Sequence, residues 1–106
     1  MRLVRNTTQD ISCKYVFLRL DKMREDGIDP IAFINILGIL SKYVDLGLPG
    51  QEDEFFAIKM KDINSRHALE EYANSAMSNG DYELANDVRD LSYRSGFSSP
   101  YCHNPD

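Results

Sequence analysis

The dipeptide Asp29-Pro30 constrains the fold most, because it fixes the start of a helix to within one residue. An aspartate side chain accepts a free amide proton of the first turn, and proline suits the first helical position, where no amide proton is needed. The residues that follow, 31–44, are apolar on nearly all sides of a helix. The pattern predicts a central, buried helix over residues 30–43.

The C-terminal half predicts two further helices joined by a short turn. Asp62-Ile-Asn-Ser offers caps for the first, and Asn79-Gly80-Asp81 supplies its stop, the turn and the N-cap of the second. Apolar residues recur at helical spacing on both sides of this turn. They are Leu69, Tyr72, Ala73, Ala76 and Met77 before it, and Leu84, Val88 and Leu91 after it.

The first regular segment is open to two interpretations. Cys13, Val16, Phe17, Leu20 and Met23 line one face of a helix, with Asp10 as N-cap and Gly27 as a left-handed stop. Residues 14–20, however, are rich in side chains that favour strands. We favour the helix because the apolar spacing is sustained over three turns.

Alternation predicts one β-hairpin. Two sets of side chains alternate here and predict a strand with one face more buried than the other: Phe56, Ile58 and Met60 on one face, and Phe55, Ala57, Lys59 and Lys61 on the other. Pro49-Gly50 marks a reversal before them. A lone strand is not viable, so residues 43–48 are the predicted partner. The fold class is therefore mainly α (α+β), in the order α-α-β-β-α-α, with four helices and one short antiparallel hairpin. We predict a flexible arm over residues 1–9, a single helical domain over 10–97 and an irregular tail over 98–106.

Composition and charge indicate the compartment of the protein and exclude some classes of partner. The 106 residues are 42% hydrophobic, which suffices for one folded domain. No signal peptide is evident, and the most apolar stretch is too short and too broken to span a bilayer, so we expect a cytoplasmic protein without a membrane partner. The first 27 residues carry a net charge of +2 and the remaining 79 carry −7. This acidic excess disfavours nucleic acid as a partner.

The chain lacks the common chemical motifs. It has no glycine-rich phosphate loop, no GxSxG elbow, no CxxC and no HExxH. A thiol–imidazole pair or a zinc site would have to come from Cys13, Cys102, His67 and His103, which lack the paired spacing that such sites use. We therefore predict no catalytic residue, no cofactor, no metal and no disulfide.

One surface of the last helix and tail stands out as a candidate binding site. Glu83, Asp87 and Asp90 fall at i, i+4 and i+7, and we call these three residues the acidic stripe. Charge on one face can steer a basic partner, although the same pattern is typical of an ordinary solvated helix face. Aromatic residues nearby could anchor a protein contact. They are Tyr82, Tyr93, Phe97 and Tyr101.

Two segments of the chain are familiar. The first is Asp53-Glu-Phe-Phe-Ala-Ile-Lys-Met-Lys-Asp62 with the following Ala68-Leu69 and Tyr72-Ala73, and the second is the tail Ser99-Pro-Tyr-Cys-His-Asn-Pro-Asp106. Both resemble small uncharacterised proteins encoded by phages and prophages. The resemblance covers about half of the chain. It implies a setting in the cytoplasm of an infected bacterium, where small accessory proteins bind host factors. It carries over no catalytic or binding residue.

Three functions follow as hypotheses. The first is a non-enzymatic binding protein, such as an inhibitor or modulator of a host or defence protein, acting through the acidic stripe and the aromatic residues. The second is a regulator associated with nucleic acid, because a helix followed by a hairpin is typical of winged helices. The third is a small-ligand binder, which no residue pattern in the sequence supports. The sequence neither requires nor excludes a homo-oligomer.

Overall fold

The computed structural model describes residues 1–36 and 44–104, and within them the regular structure is helical. The described chain separates into two compact units. Met1–Cys13 and Ala57–Asp106 form one, here called the hairpin unit, and Lys14–Phe56 form the other, here called the middle unit. Four α-helices are α1 (Leu20–Glu25), α2 (Pro30–Ile36), α3 (Ser65–Ser78) and α4 (Tyr82–Ser92), followed by a 3₁₀ turn over Gly96–Ser98.

A tight turn joins α3 to α4, as the sequence predicts. The amide of Gly80 donates to the Met77 carbonyl and that of Asp81 to the Ala76 carbonyl, both at 3.0 Å. This pair of bonds satisfies the last carbonyls of α3 and needs a left-handed residue, which Gly80 supplies with φ of +83°. Asp81 then caps α4, since its Oδ1 accepts the Leu84 amide at 3.2 Å. The predicted stop, turn and N-cap are confirmed.

The core of the hairpin unit is made mostly of small side chains. Ala73 and Ala85 are fully buried, Leu84 and Val88 are nearly so, and Ala76 completes the buried set. Leu3, Leu69 and Met77 pack against its edge. Alanine on both helices lets their backbones approach closely. Tyr72, which we placed on the inner stripe, is exposed instead.

Three buried serines extend this packing beyond the alanines. Ser65, Ser92 and Ser95 each expose 2% or less of their surface. Each hydroxyl donates to a backbone carbonyl, at 2.8 Å to Met60, 2.6 Å to Arg89 and 2.7 Å to Leu91, respectively. These bonds offset the cost of removing the hydroxyls from water.

The predicted β-hairpin is wrong. Residues 44–48 and 55–61 form no strand, and the described part of the chain contains no sheet. The backbone acceptors at the end of this segment are used elsewhere, because the Met60 carbonyl accepts the Gly96 amide at 2.8 Å and the Lys61 carbonyl accepts the His103 amide at 3.1 Å. A single parallel bridge, between Asp62 and His103, ties the tail to the start of α3.

The first helix is shorter than predicted. It begins at Leu20 rather than after Asp10, and residues 10–19 are irregular. Cys13 is held by side-chain bonds, since its amide donates to Asn6 Oδ1 at 2.8 Å and its thiol to the Val4 carbonyl at 2.7 Å. The aromatic and β-branched residues 15–17 add little helix propensity. The helix ends before Gly27, the predicted stop.

The start of α2 is confirmed, but its predicted burial is wrong. Asp29 Oδ1 accepts the Ile31 amide at 3.0 Å, and Pro30 opens the helix. Pro30 is the one buried residue of Pro30–Ile36, whereas Ile31 and Ile36 are 70% and 79% exposed. Six-residue α1 packs against α2 and is too short to cover it on all sides. The remainder of the predicted helix, residues 37–43, lies outside the described residues.

Phe55 shows what replaces the hairpin within the middle unit. Its ring centroid lies 6.4 Å from that of Phe17, in a tilted pair. The same ring lies against Gly47, where an added Cβ would fall 2.5 Å from a ring carbon. Phe55 thus contacts both Phe17 and Gly47 in a loop that contains no backbone ladder.

Candidate binding surfaces on the hairpin unit

The N-terminal arm covers part of the acidic stripe. Arg2 Nε lies 3.1 Å from Asp87 Oδ2 and 3.6 Å from Glu83 Oε1. The Leu3 amide donates to the same Asp87 oxygen at 3.0 Å, and the Leu3 side chain packs against the core. We call Met1–Leu3 the docked segment. Asp87, which is only 21% exposed, is therefore occupied by the chain's own arm.

The docked segment also reaches the N-cap of α4. The Met1 α-amino group donates to Asp81 Oδ1 at 2.7 Å. This hydrogen bond raises the pKa of the α-amino group above its ordinary value, with smaller contributions from the negative charges of Asp81, Glu83 and Asp87. The same bond, aided by the Leu84 amide, lowers the pKa of Asp81. One aspartate thus caps a helix and holds the start of the chain.

A pocket of about 200 Å³ opens where the arm crosses α4. The arm contributes Arg2, Leu3 and Arg5 to its lining. The helix and the residues just after it contribute Asp87, Asp90, Leu91 and Arg94. Asp90, the third member of the acidic stripe, thus faces this pocket together with two of the arm's arginines.

An aromatic cluster forms where the 3₁₀ turn meets the start of α3. The Arg66 guanidinium lies 4.7 Å from the centroid of the Phe97 ring and 5.9 Å from that of Tyr93. Both rings remain exposed, at 61% and 58%. We call Arg66, Tyr93 and Phe97 the aromatic cluster; cation–π attraction contributes to holding it together.

Hydrogen bonds fix the guanidinium beside the two rings. Arg66 Nε donates to Glu70 Oε1 at 2.8 Å, one helical turn away, and Nη1 donates to the Ser98 hydroxyl. The Glu70 carboxylate also lies 3.8 Å from His67 Nδ1, and the His67 ring is tilted against Phe97 with centroids 6.3 Å apart. The arginine is thereby oriented before any partner arrives.

Gly96 allows the 3₁₀ turn to approach α3 closely. It has φ of +57°, and a Cβ at this position would lie 3.0 Å from Arg66 Cβ and 3.1 Å from the Ile63 carbonyl oxygen. Two constraints therefore select glycine: a left-handed backbone and the absence of space for a side chain. Phe97, the next residue, is positioned by this contact.

Four of the seven candidate binding residues fall into two groups of contacts. Tyr93 and Phe97 meet around Arg66, and Glu83 and Asp87 meet the docked segment. Tyr82 and Tyr101 are 62% and 75% exposed. Arg66 and Glu70 were not predicted as site residues, although their i, i+4 spacing was a usable signal. The contact of the basic arm with the stripe was not predicted either, although their charges are complementary.

The two cysteines form no disulfide in the described chain. Cys13 and Cys102 are both free thiols. Residues 1–36 and 44–104 contain no group of three or more histidine, cysteine, aspartate or glutamate side chains arranged to hold a metal ion. None of the helices in those ranges is both long and apolar enough to cross a membrane.

Comparison of the chain with known protein families, with curated proteins and with solved structures found no match in any of the three.

Proposed function

We propose that this protein is a non-enzymatic binding protein whose contact surface for a partner protein is the aromatic cluster. One observation carries the proposal: two largely exposed aromatic rings lie 4.7 and 5.9 Å from the guanidinium of an arginine that Glu70 and Ser98 already hold in place. Tyrosine and arginine are enriched among the residues that dominate interface energies, and phenylalanine is enriched at interfaces generally. An arginine ordered in advance loses less side-chain entropy on binding, which favours affinity.

The acidic stripe has a smaller part in this proposal than its sequence pattern suggested. Glu83 and Asp87 already contact the arm, so their charge is partly neutralised. The winged-helix alternative is not proposed, because it requires a hairpin and residues 44–48 and 55–61 form none. The resemblance to phage and prophage proteins supports a host or defence protein in the bacterial cytoplasm as the partner.

The test is affinity capture of bacterial cytoplasmic proteins by the full chain and by matched variants. Phe97→Ala and Tyr93→Ala should each weaken capture of a specific protein by about 2 kcal/mol, roughly thirtyfold in affinity. Tyr72→Ala is the control, since Tyr72 is similarly exposed on α3. Exposed aromatic positions tolerate truncation, so all three variants should keep the wild-type circular dichroism spectrum.

Two results would count against the proposal. One is a captured protein that all three variants retain equally, which would place the contact elsewhere. The other is loss of binding in Tyr72→Ala as well, which would indicate general stickiness of exposed aromatic residues rather than a defined surface.

A further inference from the structure

The arm–α4 pocket concentrates positive charge in an acidic protein. Three of the seven arginines of the chain line it: Arg2, Arg5 and Arg94. The net charge of the whole chain is −5, so clustering of this kind is not expected from composition. With Asp87 and Asp90 counted, the lining carries one net positive charge, and it therefore suits a small anion rather than a cation.

The hydrogen-bonding capacity of the lining is only partly used. Arg2 and Asp87 form an ion pair, and Asp87 also accepts the Leu3 amide. Within the described residues, the side chains of Arg5, Arg94 and Asp90 make no ion pair or hydrogen bond. Two guanidinium groups and one carboxylate are thus available to a molecule that enters the pocket.

Each available group selects one part of a ligand. A guanidinium group binds a carboxylate through two parallel N–H donors. The Asp90 carboxylate accepts a hydrogen bond, so it favours a ligand that carries an ammonium or hydroxyl group and disfavours a second negative charge. Leu3 and Leu91 add apolar walls. At about 200 Å³ the pocket is smaller than the range of roughly 300–1,000 Å³ typical of drug-sized ligands.

We propose that this pocket binds a small monocarboxylate with an amino or hydroxyl group beside the carboxylate and a short apolar side chain. Arg5 and Arg94 hold the carboxylate, Asp90 accepts from the amino or hydroxyl group, and Leu3 and Leu91 contact the apolar part. Because Arg2, Leu3 and Arg5 belong to the arm, the site is complete only while the arm is docked, and an occupied site in turn holds the arm on α4. The site is separate from the aromatic cluster, so its test is independent of the proposed partner contact.

The experiment is a titration of the full chain with four isosteric probes, followed through backbone amide shifts in NMR spectra. L-Leucine and 2-hydroxy-4-methylpentanoate carry every recognised group, 4-methylpentanoate lacks the donor, and L-leucinamide lacks the carboxylate. We expect the first two to saturate the shifts of Leu3 and Leu91 at millimolar concentration. The third should bind several-fold more weakly, and the fourth should leave the shifts unchanged.

Matched arginine variants assign the carboxylate subsite. Arg94→Gln and Arg5→Gln should each weaken L-leucine binding about tenfold, because each removes a charge-assisted hydrogen bond. Arg24→Gln, an arginine of the middle unit, should leave binding unchanged. The amide shifts of α3 in each variant verify that the fold is kept.

The proposal is overturned if L-leucinamide binds as tightly as L-leucine. It is equally overturned if none of the four probes shifts the Leu3 and Leu91 amide signals at a probe concentration of about 50 mM, roughly 50-fold above the expected millimolar dissociation constant. It is also overturned if Arg24→Gln weakens binding as much as Arg94→Gln, since the effect would then reflect overall charge.

Discussion

Asp87 carries two contacts of the docked segment on a single oxygen. Its Oδ2 accepts the Leu3 amide and faces Arg2 Nε, at 3.0 and 3.1 Å. Asp90, three residues on, lies on the same helix and makes no ion pair within the described chain. The two aspartates therefore allow a comparison between a carboxylate that binds the docked segment and a carboxylate that makes no ion pair.

Replacing Asp87 with alanine should release the arm, whereas replacing Asp90 should not. The lost ion pair and amide acceptor together amount to about 1 kcal/mol, which corresponds to roughly fivefold more time spent undocked. Trypsin cleavage after Arg2 and Arg5 measures this directly, because the protease needs an extended, accessible segment. Equal cleavage rates in Asp87→Ala, Asp90→Ala and wild type would contradict the docked arrangement.

The bond between the Met1 α-amino group and Asp81 should make docking of the arm depend on pH. The pKa of the amino group is raised from 8.0, so its contribution is complete below pH 8 and is lost as the pH rises through the raised value. The pKa of Asp81 is lowered from 3.8, so its contribution is complete above about pH 4 and is lost as the pH falls further.

The same trypsin assay is unsuitable across this range, so amide hydrogen exchange of Leu3 is the measurement. After correction for the intrinsic rate, protection of Leu3 should be greatest between about pH 4 and pH 8 and should decline on either side. Acetylation of the α-amino group should abolish the decline above pH 8 and reduce protection below it. A flat profile in the unmodified protein would show that the α-amino group is not involved.

At the scale of elements, the 3₁₀ turn is more sensitive to replacement of its glycine than the turn that joins α3 to α4. Gly80 and Gly96 both have positive φ, but only Gly96 is crowded, whereas a Cβ on Gly80 meets nothing within 4 Å. Both alanine variants incur the cost of a left-handed backbone, about 1 kcal/mol. Gly96→Ala must also displace backbone at and just before the start of α3, because two of its three nearest atoms are the Ile63 carbonyl oxygen and the Arg66 nitrogen.

We therefore expect Gly80→Ala to lower the free energy of unfolding by about 1 kcal/mol, and Gly96→Ala by about 1–3 kcal/mol more. Urea denaturation followed by circular dichroism at 222 nm measures both. Similar losses in the two variants would mean that the 3₁₀ turn is not packed against α3 as described.

The same elements show which features the sequence could predict. Local signals succeeded: the hydrogen bonds at Asp29-Pro30 and Asn79-Gly80-Asp81 span at most five positions, and no distant contact is needed to satisfy them. The alternation at residues 55–61 failed, because a strand exists only where a partner accepts its hydrogen bonds. Met60 and Lys61 bond instead to Gly96 and His103, more than 30 residues away.

The candidate site was predictable to a similar degree. Tyr93 and Phe97 stand out by composition, but their meeting point on Arg66 depends on how the 3₁₀ turn packs, which no local pattern encodes. The arm–α4 contact likewise joins Leu3 to Asp87 across 84 positions of the chain. Charge complementarity was visible in the sequence, whereas proximity was not.

At the scale of the whole molecule, the two units differ in how their helices are supported. In the hairpin unit, α3 and α4 are 14 and 11 residues long and share a buried core. In the middle unit, α1 and α2 have 6 and 7 residues, and Pro30 is their one buried position. Helices this short are marginal in water without tertiary packing, because few hydrogen bonds offset the cost of nucleation.

Amide hydrogen exchange should therefore separate the two units. We expect the amides of α3 and α4, especially those near the fully buried Ala73 and Ala85, to exchange only on global unfolding of the hairpin unit. The amides of α1 and of α2 should exchange by local opening, at rates at least about 100-fold faster after correction for intrinsic chemistry. The variant Val88→Ala distinguishes global unfolding from local opening, because it removes two buried methyl groups from the core of the hairpin unit. Exchange in α3 and α4 should become faster by roughly tenfold or more, whereas exchange in α1 and α2 should stay unchanged. If α2 amides instead persist as long as those of α4, or accelerate with them in Val88→Ala, the two units unfold as one cooperative structure.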